Sequence, residues 1–87
     1  MKVVIVVNME EEAYIYYLVG QNLKRLRKEK GLTQEAFASQ CTYALGFIMN
    51  IESKRYKQTF SLGTVWHFSR VLGVDIKEFF KPLDEES

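Results

Sequence analysis

The sequence predicts an all-α domain of five helices with a short N-terminal β-strand or arm, on three observations. Apolar residues recur at spacings of three and four along most of the chain. Residues suited to starting a helix (Thr33, Ser61, Asp75) alternate with residues suited to ending one (Gly31, Gly73, Pro82). Only residues 1–8, MKVVIVVN, form an unbroken β-branched apolar run of the kind that favours a strand. The 87 residues, 47% hydrophobic and 26% charged, suit one small domain with a modest core. A domain of this size often gains stability from a partner subunit.

The elements follow in order. Glu10 to Glu12 place negative charge where a helix N-terminus favours it, and the first helix runs to about Lys30 with Val19, Leu23 and Leu26 inward. Its last turn is basic and Gly31 stands at the capping position. Residues 13–18, AYIYYL, are also strand-like, so a hairpin between 2–7 and 13–19 stays open. Thr33 caps a second helix that ends near Gln40, with Phe37 and Ala38 inward and Ala36 where a capping box would need an acid. A third helix fits Ala44 to about Ser53, with Thr42 or Tyr43 at its start and Ile48 and Ile51 inward. After a polar loop, Lys54 to Phe60, Ser61 caps a fourth helix through Leu72, burying Leu62, Val65, Phe68, Ser69 and Leu72. Asp75 starts a fifth helix through about Phe80, and Pro82 stops it. The organisation is therefore an arm at 1–8, a domain at 9–81 and an acidic tail at 82–87.

Charge is unevenly spread. Residues 20–60 hold eight Lys and Arg against three Glu, a net of +5, while residues 1–19 and 61–87 each sum to −2. A basic middle between acidic ends is a local footprint hidden in the whole-chain total of +1. Charge alone leaves nucleic-acid binding and a solvated face as equal readings.

Helices at 33–40 and 44–53, about three residues apart, match the spacing of a helix-turn-helix, whose second helix enters the major groove. The stretches VGQNLKRLRKEKGLTQEAFA (19–38), FIMNIESKR (47–55) and SLGTVWHFSRVLGVDIKEFF (61–80) resemble the lambda-repressor-like family, also called the xenobiotic-response-element type. The resemblance covers about residues 17–81 and is most specific in the Leu-Arg-x-x-x-Gly-Leu-Thr-Gln run and the Ile51-Glu52 pair. It implies a dimeric regulator of transcription that binds double-stranded DNA. By position, it implies a structural ion pair between Arg27 and Glu52. Gln34 would meet the DNA backbone, and Lys54, Arg55 and Lys57 would meet phosphates, with Lys28 and Lys30 extending the clamp. The groove-facing positions fall on Ala44, Leu45, Gly46, Met49 and Asn50, with Thr33 and Tyr43 at the starts of the two helices. These positions depart from the family's usual polar readers. Asn50 is the one good hydrogen-bonding reader, suited to adenine, while Ala44, Leu45 and Met49 suit thymine methyl groups. An apolar recognition face equally suits a protein partner, as in the antitoxin of a toxin–antitoxin pair or a contact to polymerase. The loop at Tyr56 to Phe60 is longer than the family's, and Tyr56 and Phe60 are expected to anchor it on the fourth helix.

The surplus of aromatic and aliphatic residues at the start of the chain points to a homodimer contact made by Val3, Ile5, Val7, Tyr14, Tyr17 and Leu18, by strand exchange, with Trp66 added. Other chemistries find no support. Cys41 is the only cysteine and His67 the only histidine, so no disulfide and no metal site is expected. Cys41 reads as a core residue. No nucleophile–base pair, paired carboxylates or phosphate-cradling glycine loop appears, so no enzyme and no cofactor is expected. Val3 to Val7 is too short to span a membrane and lacks a cleavage site, so the expected location is the cytoplasm.

Overall fold

A computed structural model describes residues 9–55 and 58–83, and every regular element among them is helical. Helix α1 spans Met9–Glu29, α2 Gln34–Cys41, α3 Leu45–Glu52 and α4 Leu62–Leu72, followed by one 3-10 helix, Ile76–Phe80.

Two expectations are corrected here. The fifth helix is a 3-10 helix. The Asp75 side chain accepts the Lys77 amide at 2.9 Å, and the Glu78 amide closes onto Asp75 O at 2.9 Å, the i→i+3 bond of a 3-10 turn. The N-terminal strand falls on residues 1–8, outside the described residues, and none of those described is a strand with which it could pair. The alternative hairpin is overturned because residues 13–19 lie inside α1. Strand-like composition yields to packing: Leu18, Val19, Asn22, Leu23 and Leu26 make one buried stripe at helical spacing, which a strand would split between two faces.

The helix ends follow the punctuation in the sequence. Gly31, at φ 73°, turns the chain out of α1, and the Leu32 amide folds back onto Arg27 O at 3.1 Å. Thr33 Oγ1 accepts the Ala36 amide at 3.0 Å, and Ser61 Oγ the Thr64 amide at 3.0 Å. Gly73, at φ 69°, ends α4. The turn between α2 and α3 differs from expectation. Thr42 caps the C-terminus of α2 in the left-handed region at φ 59°, and α3 starts after Ala44, which offers no capping side chain.

The core sits where α1, α2, α3 and α4 converge. Phe37, Phe68 and Phe79 are fully buried, with Phe68 5.4 Å from Phe37 and 6.4 Å from Phe79 by ring centroid. Leu62 does not join it: expected on the inward side of α4, it is 69% exposed, because Val65, Phe68, Ser69 and Leu72 alone face the core. Phe60 packs edge-on against Tyr16 of α1 at 5.1 Å and lines a groove with Leu62 and Val65, so the loop is anchored between α1 and α4; Tyr56 lies outside the described residues.

Two residues that the sequence did not single out lock the C-terminal segment to α1. The buried Asn22 amide donates to Phe79 O at 3.0 Å and Lys81 O at 2.9 Å. Arg25 donates to Asn22 Oδ1 at 3.1 Å and to Glu78 O at 3.0 Å.

Candidate nucleic-acid interface

Helix α2, a turn at 42–44 and α3 form the two-helix unit. What holds it is the charged group at its centre. Arg27 and Glu52 are 5% and 4% exposed and meet in a two-pronged contact, Nε to Oε2 and Nη2 to Oε1, each 2.8 Å. Arg27 also donates to Leu32 O at 2.6 Å, and Gln34 Nε2 donates to Glu52 Oε1 at 3.0 Å. Donating to Glu52 raises the already high pKa of Arg27 against the opposing cost of burial, so the guanidinium keeps its charge. One carboxylate thus ties α1, the start of α2 and the end of α3 together.

This has an electrostatic consequence. Glu52 is the only ionisable side chain on α3, and it is buried and neutralised. The outer surface of α3 is therefore uncharged: Leu45 is 39% and Met49 49% exposed, Gly46 and Asn50 are exposed, and Ala44 stands exposed at its start. No side chain crowds Gly46, so backbone is accessible there. Cations follow this face in the chain and end α1. Lys54 and Arg55 are exposed just past α3, where the Arg55 amide donates to Ser53 Oγ at 3.1 Å. Lys28 and Lys30 are exposed at the end of α1. Lys57 lies outside the described residues.

Thr33 is exposed at the start of α2, its hydroxyl oxygen occupied as the cap, and the half-buried Gln34 spends its amide on Glu52. Tyr43 is half-buried in a ring cluster, 5.0 Å from Phe47, 5.7 Å from His67 and 5.9 Å from Phe68. The cluster braces the turn between the two helices. His67 Nε2 lies 3.2 Å from Cys41 O, and Cys41 is buried, its thiol pushed up to about 11 by desolvation. Both belong to this brace. Among the described residues no three His, Cys, Asp or Glu side chains gather as metal ligands, and no helix is long and apolar enough to cross a membrane.

The residues assigned to a dimer contact divide. Tyr14 is 49% and Trp66 55% exposed, and Tyr17 is partly buried. Leu18 is 8% exposed and is spent on the protomer's own packing, a correction to its expected place at an interface. Val3, Ile5 and Val7 lie outside the described residues. Ile15, within the 14–18 cluster expected at the contact, is 42% exposed; with Leu62 and with Phe80 (37%), which the sequence did not single out, it lines an apolar groove of about 160 Å³. Tryptophan is conspicuous in a sequence. A leucine left outside a helix's buried face is not.

A family model described as a helix-turn-helix domain matches residues 20–85. An uncharacterised HTH-type transcriptional regulator, y4dJ, of Sinorhizobium fredii is 37% identical over 68 residues, which is 78% of this chain and 86% of that protein. Among solved structures, the restriction-modification controller protein C.AhdI of Aeromonas hydrophila superposes with a TM-score of 0.67 at 28% identity, covering 75% of this chain and 96% of that one. The fold extends to a hypothetical transcription factor, NHTF, of Neisseria, with a TM-score of 0.73 at 24% identity over 98% of this chain and 95% of that one. A match over most of the chain, and a relative this similar along most of its own length, place the molecule: it belongs to the lambda-repressor-like helix-turn-helix family of DNA-binding transcriptional regulators.

Proposed function

We propose that this regulator works as a homodimer that lays α3 in the major groove of a pseudo-palindromic operator. One observation carries the reading: an exposed, uncharged α3 surface with its only carboxylate neutralised inside, followed in the chain by Lys54 and Arg55. A duplex repels uncompensated carboxylates and attracts flanking cations, so this surface suits close approach to bases between phosphate contacts. Thr33 and Gln34 bring the amide-rich start of α2 to one backbone, and Lys54, Arg55 and Lys57 reach the other. Asn50 reads adenine, while Ala44, Leu45 and Met49 pack on thymine methyl groups across the gap left by Gly46, favouring A·T-rich half-sites. Such a protein works in the cytoplasm and needs neither metal nor cofactor.

The second copy is drawn by the apolar groove lined by Ile15, Leu62 and Phe80, together with exposed Trp66, one turn from Leu62 on α4, and exposed Tyr14, next to Ile15 on α1. These side chains expose on the order of 500 Å² together, more than half of the ~800 Å² each partner gives to a standard interface. A two-fold axis through this face pairs the α3 helices for half-sites one helical turn, ~34 Å, apart. The uncharged α3 also supports a second reading, a protein-binding module facing a toxin or polymerase.

Selection from random-sequence duplexes separates the two. The expected result is an enriched two-fold symmetric motif with A·T-rich half-sites, lost when Asn50 and Leu45 are both changed to Ala. Recovery of no motif overturns the operator reading in favour of the second.

A further inference from the structure

The last carbonyls of a helix have no donors within it, and a short helix has few other bonds to compensate. In α3 the usual remedies are missing. No basic side chain stands in its last turn, and Ser53 leaves in an extended conformation (φ −64°, ψ 140°), its amide returning only to Asn50 O at 3.3 Å. The remedy comes from α1. At buried Gly20 an added Cβ would lie 2.0 Å from Ile51 O. That oxygen therefore rests on the bare Gly20 Cα, at up to ~3.5 Å, the range of a Cα–H···O contact. One residue on, the Gln21 amide Nε2 donates to Glu52 O at 3.0 Å. Consecutive carbonyls at the end of α3 are thus received by consecutive residues of α1.

Glu52 is consequently held twice. Arg27 and Gln34 hold its carboxylate, and Gln21 holds its main chain. The two grips do different work. A carboxylate at the end of a rotatable side chain leaves the backbone free to swivel, whereas a bond to the carbonyl fixes the peptide plane from which Ser53, Lys54 and Arg55 continue.

We infer that Gln21 is a positioning residue for DNA binding: by capping α3 from α1 it sets the path along which Lys54 and Arg55 leave the recognition helix. The inference rests on the reading that these two cations meet phosphates. Without the Gln21 bond the domain keeps its core and its buried ion pair, but the cations lose their register on the duplex.

The test uses the full chain and a duplex carrying the selected operator, with Gln21→Met, which keeps length and removes the donor, and Gln21→Asn, which keeps the amide but shortens its reach. Affinity is measured against salt concentration, with circular dichroism recording folding at the assay temperature. Both variants are expected to bind about tenfold more weakly, and the slope of log K against log salt is expected to fall by roughly one to two, as phosphate contacts are lost. Adding Lys54→Ala and Arg55→Ala to Gln21→Met should then cost less than in the wild type. A folded Gln21→Met with unchanged affinity and salt slope overturns the inference while leaving the operator reading intact. A wild-type chain that fails to bind DNA at any salt overturns both.

Discussion

Gly20 shows how one missing side chain sets a helix crossing. Its Cα sits against Ile51 O, so Gly20→Ala must push α1 and α3 apart or rotate one of them. Close-packed interiors resist such shifts, and a loss of at least ~2 kcal/mol is expected, read as a lowered midpoint in urea. At the ion pair, Arg27→Ala strands a buried carboxylate and should cost about 3–5 kcal/mol, whereas Lys28→Ala, at an exposed position one residue on, should cost little. Cys41 makes stability fall at high pH. Its thiol moves from 9.0 in an exposed setting to about 11 when folded, because burial disfavours the thiolate. Below pH 9 both states are protonated; between 9 and 11 the unfolded chain releases its proton first, so stability declines, by on the order of 2–3 kcal/mol in all. Unfolding curves of the wild type and Cys41→Ala across that range should therefore converge as pH rises. Parallel curves would refute this. Arg27, Glu52 and Cys41 were legible in the sequence because their residue types stand out in pattern. Gly20 and Gln21 were not, since their role exists only against the carbonyls of α3.

At the scale of elements, capping chemistry announced itself in the sequence and packing did not. Thr33, Ser61, Gly31 and Gly73 mark helix ends through local hydrogen bonds and left-handed turns that depend on neighbours in the chain. The strand-like residues 13–18 became helical because their inward positions continue the α1 stripe, a long-range cause. The 3-10 helix depends on α1 in the same way. Asn22 supplies donors to Phe79 O and Lys81 O, and a carboxylate cannot replace them. Asn22→Asp is expected to cost about 2–3 kcal/mol and to speed amide hydrogen exchange in residues 76–81 more than in α2 and α3. Uniform loss of protection across the domain would contradict the lock between these two elements.

For the whole molecule, the proposed dimer puts its contact on the exposed apolar residues of α1 and α4. Leu62 and Trp66, one turn apart on α4, are the most exposed of these. Charges placed there should abolish self-association without disturbing the core. Trp66→Glu is expected to sediment as a monomer, keep its helical content, and bind the operator with at least tenfold lower affinity, since the two half-sites are no longer linked. A dimeric Trp66→Glu would move the contact elsewhere. The proposed DNA-facing residues came from the family resemblance, position by position, because charge alone left nucleic-acid binding and a solvated face as equal readings. The exposed apolar residues were read only in part: Leu18 is drawn into the protomer, and Leu62 stands outside it.

Helix order, helix ends, the basic middle and the family pattern around Arg27, Gln34 and Glu52 are local or position-bound properties, and the amino acids alone carried them. Where the inward face of α4 stops short of Leu62, how closely α1 approaches α3, and what becomes of the unsatisfied end of the recognition helix arise between segments far apart in the chain. Those were settled only when packing brought Gly20 and Gln21 against Ile51 and Glu52. An uncharged α3 thereby became a surface that can meet a duplex, its one carboxylate turned inward and matched by Arg27.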